Sequence, residues 1–169
     1  MSELYLMRHA KSAWNQPGAR DHDRLLTNEG IERTQKIIAF IRKQQINFDL
    51  IICSTATRAK NTAIIVASGI HYDNEKIQTE KSLYDSDTDS YFEILEMIPD
   101  SIQSVLLVAH NPTISEFLLK ISPLPEEQFL PTSGLAGLHM NCDTWKKIRK
   151  ADARLKFLIF PKMLSDSMI

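Results

Sequence analysis

Four side chains, far apart along the chain, are of types that together could do chemistry: Arg8, His9, Arg58 and His110. Each follows an apolar run. Arg8-His9 ends ELYLM (3–7). Ser54 follows FDLIIC (48–53), with Arg58 four residues further on. His110-Asn111 ends SVLLVA (104–109). Two guanidiniums and two imidazoles brought to one place repel each other unless something negative sits among them. Arginine offers planar paired donors that match phosphate or carboxylate oxygens, and a helix N-terminus adds partial positive charge. The residue types therefore predict a pocket for a phosphate-sized anion. Taken singly, either histidine reads equally well as a turn residue with a satisfied ring; it is the set of four that points to a site.

Whether the four meet depends on the elements that carry them. Compact apolar runs that read as strands are 3–7, 48–53, 104–109, LAGLHM (135–140) and LKFLIF (155–160), and helical patterns lie between them. Thr27 caps a first helix bearing Ile31, Ile37, Ile38 and Ile41 on one side. A second runs from about Thr57 to Ser68, with Gly69 as its C′ stop. A third carries Tyr91, Ile94, Leu95 and Ile98 at core-facing spacing. A fourth starts at Asn111-Pro112 and buries Ile114, Phe117, Leu118 and Ile121. This alternation predicts an α/β three-layer sandwich, a mostly parallel central sheet flanked by helices, as one domain over 1–169. In such sheets ligands bind beyond the carboxyl ends of the strands, where Arg8, His9, Arg58 and His110 fall. The stretch 122–134 reads as a surface loop and the tail SDSMI as loose.

Composition narrows the classes. A net charge of -1 with 24% charged residues advertises no broad basic surface, so neither nucleic acid nor a membrane is an expected partner. No apolar run reaches the roughly 18 residues that span a bilayer, and no secretory signal is evident. Cys53 and Cys142 form neither a disulfide framework nor a zinc motif, and a reduced, cytoplasmic location is expected. KKIRK (146–150) reads as a solvated helix face. CSTATR (53–58) imitates the Cys-x5-Arg phosphatase loop, but only four residues separate Cys53 from Arg58, and Cys53 belongs inside a strand. His22 between Asp21 and Asp23 imitates a metal ligand set, although loop neighbours rarely converge on one ion.

The stretches LYLMRHAKSAWN (4–15), DRLLTNEG (23–30), DLIICSTATRAKNTA (49–63), SLYD (82–85) and SVLLVAHNPTI (104–114) together resemble the histidine phosphatase superfamily, which includes the phosphoglycerate mutases. Its small SixA-type phosphohistidine phosphatases fit best. The resemblance implies that His9 accepts the phosphoryl group, while Arg8, Arg58 and His110 hold and neutralise its oxygens. Asn15 falls where mutases carry a phosphate-contacting Asn. Arg24 borders the pocket in relatives and reads either as a phosphate contact or as a structural Arg; Asn111 is a further phosphate-binding candidate. Asp85 stands near the mutases' proton donor, and reads equally as part of the acidic loop DSDTD (85–89). Ala10 replaces the family's usual Gly, which would strain a left-handed backbone. Thr62 reads as support for Arg58 or as packing, Ser54 as pocket wall, and Trp14 as packing or substrate contact. No metal or cofactor is implied.

Phosphoryl transfer needs positioning and neutralised oxygens, and a histidine nucleophile must present an unprotonated nitrogen. A free imidazole, with a pKa of about 6.5, is mostly neutral at pH 7, and neighbouring arginines favour that form further. His110 has the opposite task, donating to an oxygen and carrying charge once phosphate is bound. The expected substrate is phosphohistidine on a protein, handled by a monomer. The rivals are a phosphomonoesterase acting on small phosphoesters, with Asp85 as its acid, and a non-catalytic phosphate-binding module.

Overall fold

The computed structural model describes residues 2–14, 17–123 and 129–166. Its sheet contains β1 (Ser2–Arg8), β2 (Leu50–Ser54), β3 (Gln78–Glu80), β4 (Ser104–Ala109), β5 (Leu135–Met140) and β6 (Ala153–Ile159), in the order β3-β2-β4-β1-β5-β6. The first four strands are parallel, and β5 runs antiparallel to both of its neighbours. The helices are α1 (Asn28–Lys43), α2 (Thr57–Gly69), α3 (Thr88–Glu96) and α4 (Thr113–Ile121).

Both faces of the sheet are covered, which explains why its central strands read as unbroken apolar runs. Side chains alternate across a strand. Leu4, Leu6, Val105 and Leu107 therefore pack with Tyr91, Leu95, Ile114 and Phe117 of α3 and α4. Tyr5, Met7, Leu106 and Val108 pack on the other face with Ile37, Ile41, Ala63 and Val66 of α1 and α2. Burying each large side chain contributes about 1.5–3 kcal/mol, so the two layers hold the three central strand ends in register.

Several local expectations are corrected. Ile31 is 36% exposed, and the buried early positions of α1 are Gly30 and Thr34. A side chain at position 30 would collide with the Lys11 backbone, so this glycine lets α1 approach the segment after His9. Gly69 is the last residue of α2 rather than its C′ stop. A Cβ there would press on Ile38 at 2.6 Å. His71, with φ of 61°, takes the left-handed position instead, and Tyr72 N–H closes the turn on the Ala67 carbonyl. Pro112 is the N-cap of α4, so that helix begins at Thr113. The loop before β5 does not stay on the surface: Leu130 and Ser133 are buried.

Candidate active site

β1 carries Arg8 to the sheet's rim, and the His9 N–H bonds the Ala109 carbonyl at 3.0 Å, pinning His9 beside the end of β4. His9 is 6% exposed. Nδ1 lies 2.8 Å from the Ala10 carbonyl oxygen. A carbonyl only accepts, so this contact assigns the proton to Nδ1 and leaves Nε2 with its lone pair. Arg58 Nε donates to that lone pair at 3.3 Å.

Thr62 fixes the same residue, Ala10, through its other backbone group. Its hydroxyl accepts from the Ala10 N–H at 2.9 Å and donates to the Arg58 carbonyl at 2.7 Å. It therefore supports the backbone next to His9 rather than the guanidinium. Ala10 is not among the described non-glycine residues with positive φ, which are Gln45, His71, Asp85 and Ser133. Alanine is accommodated there without strain.

The second imidazole stands 5.1 Å away, centroid to centroid, tilted by 52°. His110 Nε2 and Ser54 Oγ share a 2.7 Å hydrogen bond, and Ser54 Oγ also accepts from the Ala56 N–H. Nδ1 of His110 is buried without a partner. Burial, and then the nearby His110, Arg58 and Arg8, push the pKa of His9 down to about 3. Burial, then Arg58, Arg24 and Arg8, do the same to His110, against the opposing pull of Asp21. Both rings are neutral at pH 7.

The guanidiniums converge here too. Arg58, in the first turn of α2, is 5% exposed. Arg8 Nη1 donates to the Leu130 carbonyl at 3.3 Å, and its buried Nε has no partner. Arg58 Nη1 and Nη2 donate to the Asp21 carbonyl and carboxylate at 2.7 and 3.1 Å. Arg24 Nε holds the other carboxylate oxygen at 3.0 Å, while its Nη1 donates to Ser12 Oγ at 2.9 Å. Tyr84 O–H donates to Asp21 Oδ2 at 2.8 Å. With neutral rings, Arg8, Arg24 and Arg58 against Asp21 leave two positive charges. The caps of α2 and α4 use no side chain, so two helix N-termini add to that field.

The structure thus brings Arg8, His9, Arg58 and His110 together and places the other candidates differently. Arg24 is buried as a support for Asp21, with Trp14, itself 78% exposed, stacked 3.7 Å from its guanidinium carbon. Asn111 joins two elements through its amide: Nδ2 donates to the Leu130 carbonyl of the neighbouring loop, and Oδ1 accepts from the Ser115 hydroxyl of α4. Asp85 is exposed with φ of 49°, and among the described residues no hydrogen bond or ion pair ties it to the cluster. Asn15 lies outside the described residues. His22 bonds Thr55 and Asp23 and meets the Tyr84 ring edge-on at 4.9 Å. Among the described residues no three His, Cys, Asp or Glu side chains converge on a common point. Cys53 is buried in the core, its thiol pushed up to about 11 by that burial. A cavity of about 450 Å³ opens between Arg33, Lys36, Phe129 and Phe160, and no member of the cluster lines it.

Sequence reasoning missed Asp21, Tyr84 and the Leu130 carbonyl. The i,i+3 spacing of Asp21 and Arg24 was a usable signal; a backbone carbonyl leaves none.

The family model of the histidine phosphatase superfamily (branch 1) matches residues 4–101, more than half of the chain. Among solved structures, a protein of Nakamurella multipartitia described as a phosphohistidine phosphatase SixA is 26% identical. It superposes with a TM-score of 0.82 over 95% of this chain and 96% of its own. A protein of Agrobacterium tumefaciens described in the same way is 30% identical, with a TM-score of 0.78 over 94% and 97% of the two chains. A protein of Escherichia coli described as an alpha-ribazole-5'-P phosphatase shares the fold at 19% identity, with a TM-score of 0.70 over 95% and 98%. The chain belongs to the histidine phosphatase superfamily and carries the SixA-like form of its fold.

Proposed function

We propose that this protein removes phosphoryl groups from phosphohistidine on a protein, by way of a phosphorylated His9. We read it as a single-domain monomer acting in the cytoplasm, where its two buried cysteines stay free. Phosphatase chemistry comes with the family; the roles and the substrate are what the site suggests. Nε2 of His9 attacks phosphorus, forming a P–N bond as the substrate's own P–N bond breaks, and the substrate ring, protonated on its other nitrogen, leaves as neutral imidazole. The positive charge that grows on the ring is stabilised through Nδ1–H by the Ala10 carbonyl. Arg8 and Arg58 neutralise the phosphoryl oxygens. His110, neutral in the free protein, donates to an oxygen and gains a proton more readily once a dianion lies beside it. Water then attacks phosphorus, releasing phosphate and restoring neutral His9.

One observation favours phosphohistidine over an alkyl phosphate. Among the described residues the only carboxylate hydrogen-bonded to the cluster is Asp21. Tyr84 and the Arg58 guanidinium hold it below the usual carboxylate range, so it is ionised and has no proton to give. Asp85, the expected acid, is exposed, and among the described residues it makes no hydrogen bond or ion pair with the cluster. An alkoxide leaves poorly without an acid, whereas imidazole is a far better leaving group. No described helix is long and apolar enough to cross a membrane, and the substrate protein is taken to meet the rim from solvent.

The second reading, a phosphomonoesterase for small metabolites, has in its favour the fold shared with proteins described as phosphatases of small phosphoesters, the alpha-ribazole-5'-P phosphatase among them. A panel of phosphoramidates, aryl phosphates, alkyl phosphates and sugar phosphates, run with and without chelator, separates the two. The expected result is kcat/KM highest on the phosphoramidates and unchanged by chelator. Faster turnover of an alkyl or sugar phosphate would favour the second reading.

A further inference from the structure

Asp21 has no place in the chemistry above, yet it occupies the centre of the site. The outward nitrogens of Arg58 are the donors that a phosphoryl group needs, and each already spends one of its two N–H groups on Asp21, Nη1 on the carbonyl and Nη2 on the carboxylate. The inner donor, Nε, already faces His9. A phosphate drawing on Arg58 must therefore share these nitrogens with an anion already bonded to the guanidinium. The carboxylate is the one able to yield: its side chain is half exposed, whereas that of Arg58 is 6% exposed. It also belongs to a short 3₁₀ turn, Asp21–Asp23, with no buried residues. Its remaining partners, Arg24 Nε and Tyr84 O–H, can keep hold of it after it has left Arg58.

The geometry points to Asp21 as a built-in competing anion, one that occupies Arg58 in the empty site and is exchanged for the substrate's phosphoryl oxygens. This rests on the reading of the cluster as a phosphoryl site and adds a regulator of its affinity. Such an exchange weakens phosphate binding by a fixed amount. It keeps Arg58 paired between turnovers and hastens the departure of inorganic phosphate. A residue that only braced Arg58 would act in the opposite direction, because losing it would loosen the guanidinium and weaken the anion's grip. The sign of the effect therefore decides between the two roles.

The test is isothermal titration of tungstate and of orthophosphate into wild type, Asp21→Asn and Asp21→Glu. Asparagine keeps the backbone contact and an oxygen for Tyr84 but removes the charge. A unit charge next to the anion, in a medium between bulk water and protein interior, changes its affinity by roughly three- to tenfold. The expected result is binding tighter by that factor in Asp21→Asn, with glutamate staying within about twofold of wild type. In ¹³C-labelled wild type, the Asp21 carboxyl resonance should also shift on adding tungstate, a readout that holds even if a variant fails to fold. Unchanged or weaker binding in Asp21→Asn, or an unmoved resonance in a protein that does bind tungstate, overturns the competing-anion role alone. No binding of either anion to wild type overturns the phosphoryl-site reading beneath it.

Discussion

Replacing Thr62 with valine, nearly the same shape without the hydroxyl, tests how the nucleophile is held. The hydroxyl is completely buried and accepts from the Ala10 N–H while donating to the Arg58 carbonyl. Valine leaves the Ala10 N–H buried without an acceptor, at a cost of about 1–3 kcal/mol. The second hydrogen bond adds about 0.5–1.5 kcal/mol, although the Arg58 carbonyl keeps its place in the helix ladder. The sum is roughly 1.5–4.5 kcal/mol, and for a chain of this length it should lower Tm by about 3–18 °C. Urea denaturation at pH 7 should show the loss as a lower midpoint at constant slope. Thr62→Ser keeps the hydroxyl and should lose no more than about 1 kcal/mol, the worth of the deleted methyl. In activity, valine should lower kcat more than it raises KM, because the Ala10 peptide orients His9 while the guanidiniums that grip phosphate remain. A valine variant as stable as wild type, with unchanged kcat, would refute the claim that Thr62 holds the backbone next to His9.

Acid should unfold this protein through its two site histidines. Both are held near pKa 3 in the folded chain against an ordinary 6.5. Below pH 6.5 the unfolded chain takes up protons that the folded one refuses, so stability falls as pH drops from about 6.5 towards 3, by about 1.4 kcal/mol per pH unit for each ring. From pH 7 to 5.5 this is about 1.2 kcal/mol per histidine; denaturation curves of His9→Gln and His110→Gln should each show that much less acid loss, and equal loss in all three proteins would contradict the assignment. Asp85→Asn should leave turnover of a phosphoramidate within about twofold of wild type, since Asp85 is exposed and unlinked to the cluster. A tenfold loss confined to alkyl phosphates would make Asp85 an acid needed for that substrate.

The parts of the fold visible in the sequence were those whose physics is local. Strands buried on both faces are unbroken apolar runs, so β1, β2, β4 and β5 could be read to within a few residues, as could the apolar end of the edge strand β6, and the rim position of Arg8, His9, Arg58 and His110 followed from where the first three long runs end. β3 was invisible because it is three polar residues, Gln78–Glu80, that pair only with β2 at the sheet's edge. Asp21 was passed over because a carboxylate in a polar loop looks solvated, and only the fold brings Arg58, 37 positions away, onto it. The loop before β5 was misread for a different reason. Its contribution is a backbone carbonyl, Leu130, bonded by Arg8 and Asn111, with Ser133 N–H reaching back to the carbonyls of Arg8 and His9. Backbone groups are the same in every residue, so composition could not reveal them. Asn111, a polar residue beside His110 at a strand end, looks like a ligand contact, and composition could not show that its amide also ties Leu130 to Ser115 of α4.

The central claim is that the Nε2 of His9 becomes covalently bonded to phosphorus, and the most direct measurement is rapid-quench trapping with a ³²P-labelled phosphoramidate donor. The account requires a labelled protein that is labile to acid and stable to base, mapped to His9 and lost in His9→Ala. Label found on another residue, or turnover that survives in His9→Ala, would contradict it.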